Sequence, residues 1–331
     1  MSRITIFGAG SIGCYLGGRM VEGGASVRFI GRDRYKNAIA ESGLSLSQFE
    51  GPLTRLSDID FQTDVSALAG SDIIGLCVKS QDTAEAAALI QKHAPTAWVI
   101  SFQNGVSNLP TLRAALPNAC ISGAVVPFNV TSPAPGHFHR GTAGDLIIGP
   151  DVPDALLASF KHAEIVVQVV NDIEGHLWAK LLVNLNNALN ALSGGPLRDG
   201  LMQRGYRRVL VKMIEEGLSV AEAENVTVAT FNGRHPSALI KMMSKPDWLY
   251  RIIMDRIAKI DKTARSSMLD DLELGRASEL DYLQGEIVRR AQRLGLHVPV
   301  NRAVMAAVEA AFAQEASPRM SGAAMADSVL K

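Results

Sequence analysis

The chain has 331 residues, with 33 lysines plus arginines balanced by 33 aspartates plus glutamates. That length allows two domains and a sizeable core, and the charge balance argues against nucleic acid or an anionic membrane as the main partner. Three widely spaced cysteines, Cys14, Cys77 and Cys120, give neither a disulfide framework nor a metal-ligand cluster. No apolar run reaches the length of a membrane span, and no signal peptide is evident, so a cytoplasmic setting is the expectation.

In chain order, an apolar strand, Ile4–Phe7, runs into Gly8-Ala9-Gly10-Ser11-Ile12-Gly13, and a helical stretch follows from Cys14. This is G-x-G-x-x-G in the strand–turn–helix setting that a dinucleotide requires. Gly8 permits the tight turn, Gly10 lets the backbone approach a pyrophosphate, and Gly13 lets helix and strand pack closely. Ser11, Ile12 and Gly13 open the helix, where free N–H groups and the positive dipole end favour phosphate. The dipole could also lower the pKa of Cys14, although a small packing residue is the simpler reading.

The second strand, Ser26–Ile30, ends without a carboxylate at Ile30 or Gly31; Arg32 follows instead. A carboxylate there would take a ribose hydroxyl, whereas a guanidinium grips a 2′-phosphate, so NADP(H) is expected. The competing reading leaves Arg32 in solvent and gives the ribose to Asp33. A further strand, Ser71–Val78, ends at Lys79, and Trp98–Phe102 ends at Gln103-Asn104-Gly105. Strands alternating with helices imply a mostly parallel sheet covered on both faces, with ligands beyond the strands' carboxyl ends. Lys79 and Asn104 stand at those ends and are candidates to face cofactor or substrate.

The rhythm then changes. Cys120–Val126, Gly136–Arg140, Asp145–Gly149 and Ile165–Val170 read as strands, with a short helix near Pro153–His162. His137 and His139 share one face of a strand but lack a third ligand, so a solvent-facing hairpin is expected rather than a metal site. From Asp172 onward, helical patterns dominate: Ile173–Leu192, Tyr206–Asn225, Pro236–Arg256 and Glu279–Leu294, with an alanine-rich Ala306–Ala324 as terminal helix and tail. The expected domains are therefore residues 1–171, α/β and dinucleotide-binding, and 172–331, helical.

On the first of those helices Lys180, Asn184 and Asn187 span an arc of about 60° at about 100° per residue. They form one polar stripe on an otherwise apolar helix. Buried polar groups need partners. Either a bound oxo acid supplies them, with its ketone oxygen on the ammonium, or neighbouring helices do.

Ser266-Ser267-Met268-Leu269-Asp270-Asp271 and Glu279-Leu280-Asp281-Tyr282 complete the pattern. Together with the glycine turn, Arg32, Lys79, Gln103-Asn104-Gly105 and Trp178-Ala179-Lys180-Leu181, they resemble the ketopantoate reductase (2-dehydropantoate 2-reductase) family over nearly the whole chain. The resemblance implies a Rossmann-type NADP-binding domain, then an all-α domain like those at the C-terminus of 6-phosphogluconate dehydrogenases. It implies NADPH-dependent reduction of a small 2-oxo acid, ketopantoate to pantoate, in the cleft between them. Lys180 matches the proton donor and Glu279 the acidic residue that orients substrate and lysine. Asn104 matches the asparagine between nicotinamide and substrate; Asn184 and Ser267 match substrate positions, and Lys79 and Arg32 cofactor contacts. No metal is implied, and a homodimer is the expectation by analogy with this fold.

The chain departs from the family pattern at Ala188 and Ala264, where asparagines stand in the best-known form, and Asn187 lies one residue before the first of these. Gly194-Gly195-Pro196-Leu197-Arg198 and the long segment Val226–Ala264 depart as well. These changes bear on substrate choice more than on hydride transfer, and leave open a relative acting on another 2-oxo acid or ketone. A non-catalytic NADP(H)-binding sensor is the reading from another class; it would have no use for Lys180, Asn184 and Glu279 together.

Overall fold

Alternating apolar residues build the first strand from both sides. Ile4 and Ile6 enter one core, and Phe7 enters the core on the opposite face of the sheet. The computed structural model describes residues 2–49, 51–257 and 264–330. The chain divides into two units, Met1–Ile173 and Glu174–Lys331. The division falls within the start of the first long helix, two residues beyond the expected boundary.

The first unit runs β1 (Ile4–Phe7), α1 (Ser11–Glu22), β2 (Val27–Ile30), α2 (Asp33–Ser42), β3 (Leu44–Gln48), β4 (Thr54–Leu56) and β5 (Asp60–Gln62). It continues with β6 (Ile73–Leu76), α3 (Thr83–His93), β7 (Trp98–Ser101), α4 (Asn108–Ala115) and β8 (Ile121–Val125). Then come β9 (Val130–Ala134), β10 (His137–Arg140), β11 (Leu146–Ile148), α5 (Asp154–His162) and β12 (Val167–Val169).

Eight strands form one sheet in the order β12-β11-β8-β7-β6-β1-β2-β5. The run from β8 to β5 is parallel, and β11 pairs antiparallel with β8. The chain passes from β1 outward to β2 and β5, then returns to the other side of β1 with β6. This reversal makes the carboxyl ends of β1 and β6 the switch point at which such sheets take ligands.

Of a second sheet, β4-β3-β10-β9, only β10 is expected from the sequence, within Gly136–Arg140. It packs on α1, with Leu44, Leu46 and Phe138 buried in the same core as α1's Tyr15 and Leu16. His137 and His139 lie on it as part-buried residues. Each ring bonds Ser47 Oγ on the parallel neighbour β3, through His137 Nε2 at 2.7 Å and His139 Nδ1 at 2.8 Å. They therefore face a partner strand rather than open solvent. Among the described residues no group of three or more His, Cys, Asp or Glu could hold a metal ion.

The second unit is helical: α6 (Ile173–Asn184, its first residue in the preceding unit), α7 (Asn186–Ser193), α8 (Leu197–Met202), α9 (Arg204–Ala223), α10 (Pro236–Met243) and α11 (Asp247–Ile257). It ends with α12 (Ser267–Glu273), α13 (Gln284–Leu294), α14 (Pro299–Ala313) and α15 (Gly322–Val329). Three helices expected to be continuous are divided. Leu185 interrupts Ile173–Leu192, and its carbonyl accepts a bond from Gln284 Nε2 at 2.9 Å. Its dihedrals stay helical, so the helical phase carries from α6 into α7. Pro246 separates α10 from α11, because proline lacks the N–H and disfavours helical dihedrals in the residue before it. Glu279 falls outside α13, as the cap of a short 3-10 turn over Leu280–Tyr282. Of the long segment Val226–Ala264, residues 258–263 lie outside the described residues. Among the described residues no helix is long and apolar enough to cross a membrane.

Candidate functional site

In the first unit the glycine turn is fixed by its surroundings. Gly8 has φ +96°, and a Cβ there would stand 2.4 Å from Val78 N and 2.6 Å from Cys77 C, both backbone of the strand end beside it. Only glycine fits such a position. A Cβ on Gly13 would lie 2.8 Å from Gly8 O and from Ile6 Cγ2, so glycine here lets α1 press against β1. Gly10 is different: the nearest atom to its added Cβ is Gly8 O at 4.0 Å, so one side of the turn is open. No acidic residue and no capping side chain occupies the first turn of α1, which leaves its leading N–H groups directed at that open side. The turn therefore fits a dinucleotide pyrophosphate.

The backbone N–H groups of Gly8 and Ala9 both donate to Ile30 O at 2.9 Å, which ties the turn to the end of β2. Arg32 follows two residues later with an exposed side chain, as the residue preceding α2. Asp33 is the first residue of α2 and is exposed too. Cys14 is fully buried, and burial raises its thiol well above the ordinary value, with Cys77 nearby adding to the rise. A dipole-activated thiol is therefore not what this helix start provides.

A buried polar network spans the carboxyl ends of β6 and β7. Gln103 Nε2 donates to Val78 O at 3.1 Å and to Thr83 Oγ1 at 2.8 Å. Its Oε1 accepts from Ser101 Oγ at 3.0 Å. The carbonyl of Asn104 accepts from Ser80 Oγ at 2.9 Å and from Asn108 Nδ2 at 2.6 Å. These bonds fix the loop carrying Lys79 to the loop carrying Asn104, and both residues remain half-buried at the sheet's ligand edge. Gln103, Ser80, Thr83 and Asn108 are supporting residues that sequence reading passes over, because nothing local shows that two loops 24 residues apart share bonds.

In the second unit the polar and apolar positions of α6 and α7 differ in burial. Leu181, Leu182, Leu185, Ala188 and Leu189 are buried, while Lys180, Asn184 and Asn187 stay partly open. The neighbouring Asn186 is used otherwise: its Oδ1 accepts from the Tyr206 hydroxyl at 2.7 Å. Burial lowers the Lys180 ammonium from 10.5 to about 8, and the Glu279 carboxylate pulls the other way. Lys180 and Glu279 thus face each other electrostatically, although 99 positions separate them.

Ser267 is exposed at the first position of α12, and its neighbour Ser266 does the holding. Ser266 Oγ caps Leu269 N at 3.2 Å and donates to Asn187 O at 3.3 Å. The N–H of Ser266 donates to Asn190 Oδ1 at 2.9 Å, and Asn190 Nδ2 donates to Gly195 O at 2.7 Å. Asn190 is fully buried and so joins α7, α12 and the Gly194–Gly195 turn. Ala188 is fully buried, and Ala264 contributes its carbonyl to Leu197 N at 2.8 Å.

His176 stands one turn before Lys180, about 40° from it on the helix wheel, and is half-buried. Its Nδ1 is buried and has no hydrogen-bond partner among the described residues. Its i, i+4 spacing from Lys180 is the one signal of it in the sequence.

Comparison with known proteins supplies the family. The family model described as ketopantoate reductase PanE/ApbA matches residues 4–152, and its C-terminal counterpart matches residues 172–312. The chain is 29% identical over 310 residues to a 2-dehydropantoate 2-reductase of Halobacterium salinarum, covering 91% of this chain and 95% of that protein. It is similar to the crystal structure of a PanE/ApbA family ketopantoate reductase from Ralstonia eutropha, with a TM-score of 0.82, 33% identity and coverage of 95% and 99%. D-mandelate dehydrogenase, solved with NADH and anilino(oxo)acetate, shares the fold at TM-score 0.77 and 18% identity, with coverage of 95% and 99%. With both halves matched in order, this chain belongs to the ketopantoate reductase family.

Proposed function

We propose that this chain reduces the 2-keto group of a 2-oxo acid with NADPH, and that 2-dehydropantoate is its substrate. The observation that carries the reading is the Lys180 stripe: one lysine with a depressed pKa, opposed by a carboxylate, beside two open amides on an apolar helix.

The N-terminal unit holds the cofactor. The first-turn N–H groups of α1 take the pyrophosphate, Arg32 takes the 2′-phosphate, and Lys79 and Asn104 stand where the nicotinamide half ends. NADPH, when bound, supplies a hydride to the C2 carbonyl. Lys180 stabilises the negative charge that develops on the ketone oxygen and donates a proton to it. With a pKa of about 8, Lys180 is mostly protonated at neutral pH and gives up the proton more readily than an ordinary lysine. Glu279 keeps the ammonium from losing that proton altogether. Asn184, Asn187 and Ser267 hold the carboxylate and hydroxyl of the acid, and the buried bonds of Ser266 and Asn190 keep that side rigid. His176 adds an unpartnered ring nitrogen to the stripe.

Family membership supports reading the chain as a cytoplasmic biosynthetic enzyme. The test is NADPH oxidation with 2-dehydropantoate beside a panel of other 2-oxo acids, aromatic ones included. Turnover of another acid in preference to 2-dehydropantoate would leave the chemistry standing and replace the substrate.

A further inference from the structure

The second unit carries a groove of about 430 Å³ lined by α9, the α10 end, the α14 start and the α15 end. It is lined by none of the residues placed around Lys180. Arg204, Arg208 and Lys212 line it at i, i+4 and i+8 on α9, so they stand along one face over about 12 Å. Lys245, just after α10, is the fourth cation, and among the described residues no acidic side chain lines the groove. Lys212 is paired with Glu215 at 2.6 Å, while among the described residues Arg204, Arg208 and Lys245 form no ion pair.

In a chain with equal numbers of basic and acidic residues, four cations in one concavity are a local excess that costs repulsion. The groove also has apolar walls: Val211, Met243 and Val300 are buried and line it. The start of α14 adds no free positive end, because the Glu216 carboxylate caps it. Its N–H groups at Val300 and Asn301 are already taken by Glu216, at 2.9 Å each, so any anion here is held by side chains.

We propose that this groove binds a small organic diphosphate with an apolar arm. Arg204 and Arg208, one turn apart, present two planar forks that each match a phosphate. Lys212 and Lys245 add charge, and the arm lies on Val211, Met243 and Val300. The volume suits a small molecule rather than a flat lipid surface. The groove shares no lining residue with the glycine turn or the Lys180 stripe, so it stands or falls independently of the reductase reading.

The test is calorimetric titration of the full chain with inorganic pyrophosphate and with isopentenyl diphosphate as the arm-bearing probe. Both should bind, the arm-bearing probe more tightly. The double variant Arg204→Ala/Arg208→Ala should weaken both at least about tenfold, with an unchanged melting temperature because both side chains are exposed. Arg32→Ala should leave this binding intact. No binding by the wild type, or binding that survives the double variant and disappears in Arg32→Ala, would overturn the proposal; the second outcome would put the anion on the glycine turn. Reductase turnover should be unchanged in the double variant, since neither arginine belongs to that machinery.

Discussion

The carboxylate of Glu279 opposes the effect of burial on the Lys180 ammonium, and between them its pKa stands at about 8. A lysine is thereby held near the pH at which it can both carry and release a proton. In the reduction the protonated form acts, so kcat/KM should be level below about pH 8 and fall above it. Glu279→Gln removes the raising influence and should move that limb to lower pH, with NADPH affinity unchanged. A pH–rate series on both proteins checks this; an unmoved limb would remove Glu279 from the neighbourhood of the acid.

The same shift has a consequence for stability. The folded chain binds the Lys180 proton less tightly than the unfolded chain, so between about pH 8 and 10.5 the unfolded state carries more protons at this site. Stability should therefore rise with pH in that window through this group. Lys180→Met should abolish this contribution and raise stability at neutral pH, while lowering turnover by about 10² to 10⁴. Urea titrations at two pH values on each side of the window, with steady-state rates, separate the two effects.

Two glycines of one turn should respond differently. Gly8→Ala forces a side chain onto the backbone of Cys77 and Val78 at positive φ and should destabilise the fold by about 1–3 kcal/mol or more. Gly10→Ala meets no atom nearer than 4.0 Å and should leave the melting temperature nearly unchanged while weakening the dinucleotide. Thermal melts with and without NADPH measure both.

Arg32→Ala should lower NADPH affinity about 10- to 100-fold, the worth of charge-assisted bonds to a phosphate, and leave NADH almost unaffected. Equal losses for both cofactors would point to Asp33 and the ribose instead. Fluorescence titration with the two cofactors distinguishes them.

Asn190 is fully buried and bonded at both ends of its amide. Asn190→Ala strands the Ser266 N–H and the Gly195 carbonyl and should cost about 1–3 kcal/mol. Because it frees the start of α12 beside Asn187, KM for the oxo acid should rise more than kcat falls. Steady-state kinetics beside a denaturant curve reads both quantities.

The glycine turn, the strands around it and the Lys180 stripe are legible in sequence because each is a local pattern with a fixed period or spacing. Of the second sheet only β10 is: β3, β4 and β9 are short and polar on one face, and β3 pairs with β10 across 92 residues. The divisions of the helices escape for a related reason. Gln284 reaches Leu185 from 99 residues away, and periodicity alone says nothing of such a partner. Glu279 reads as the first turn of a helix because Glu-Leu-Asp-Tyr suits one, yet Leu283 adopts φ −114° and ψ −92° and delays α13 to Gln284. The supporting bonds of Gln103, Asn108, Ser266 and Asn190 are likewise tertiary, which is why the candidate side chains are visible in the sequence and their scaffolding is not.

If Lys180 is the acid for reduction of a 2-oxo acid by NADPH, the decisive measurement is the initial rate of NADPH oxidation with 2-dehydropantoate, wild type against Lys180→Ala. The wild type should turn over, and the variant should fall by about 10² to 10⁴ with NADPH affinity preserved. Equal rates in the two proteins, or tight NADPH binding with no turnover of 2-dehydropantoate or any other 2-oxo acid, would contradict that role.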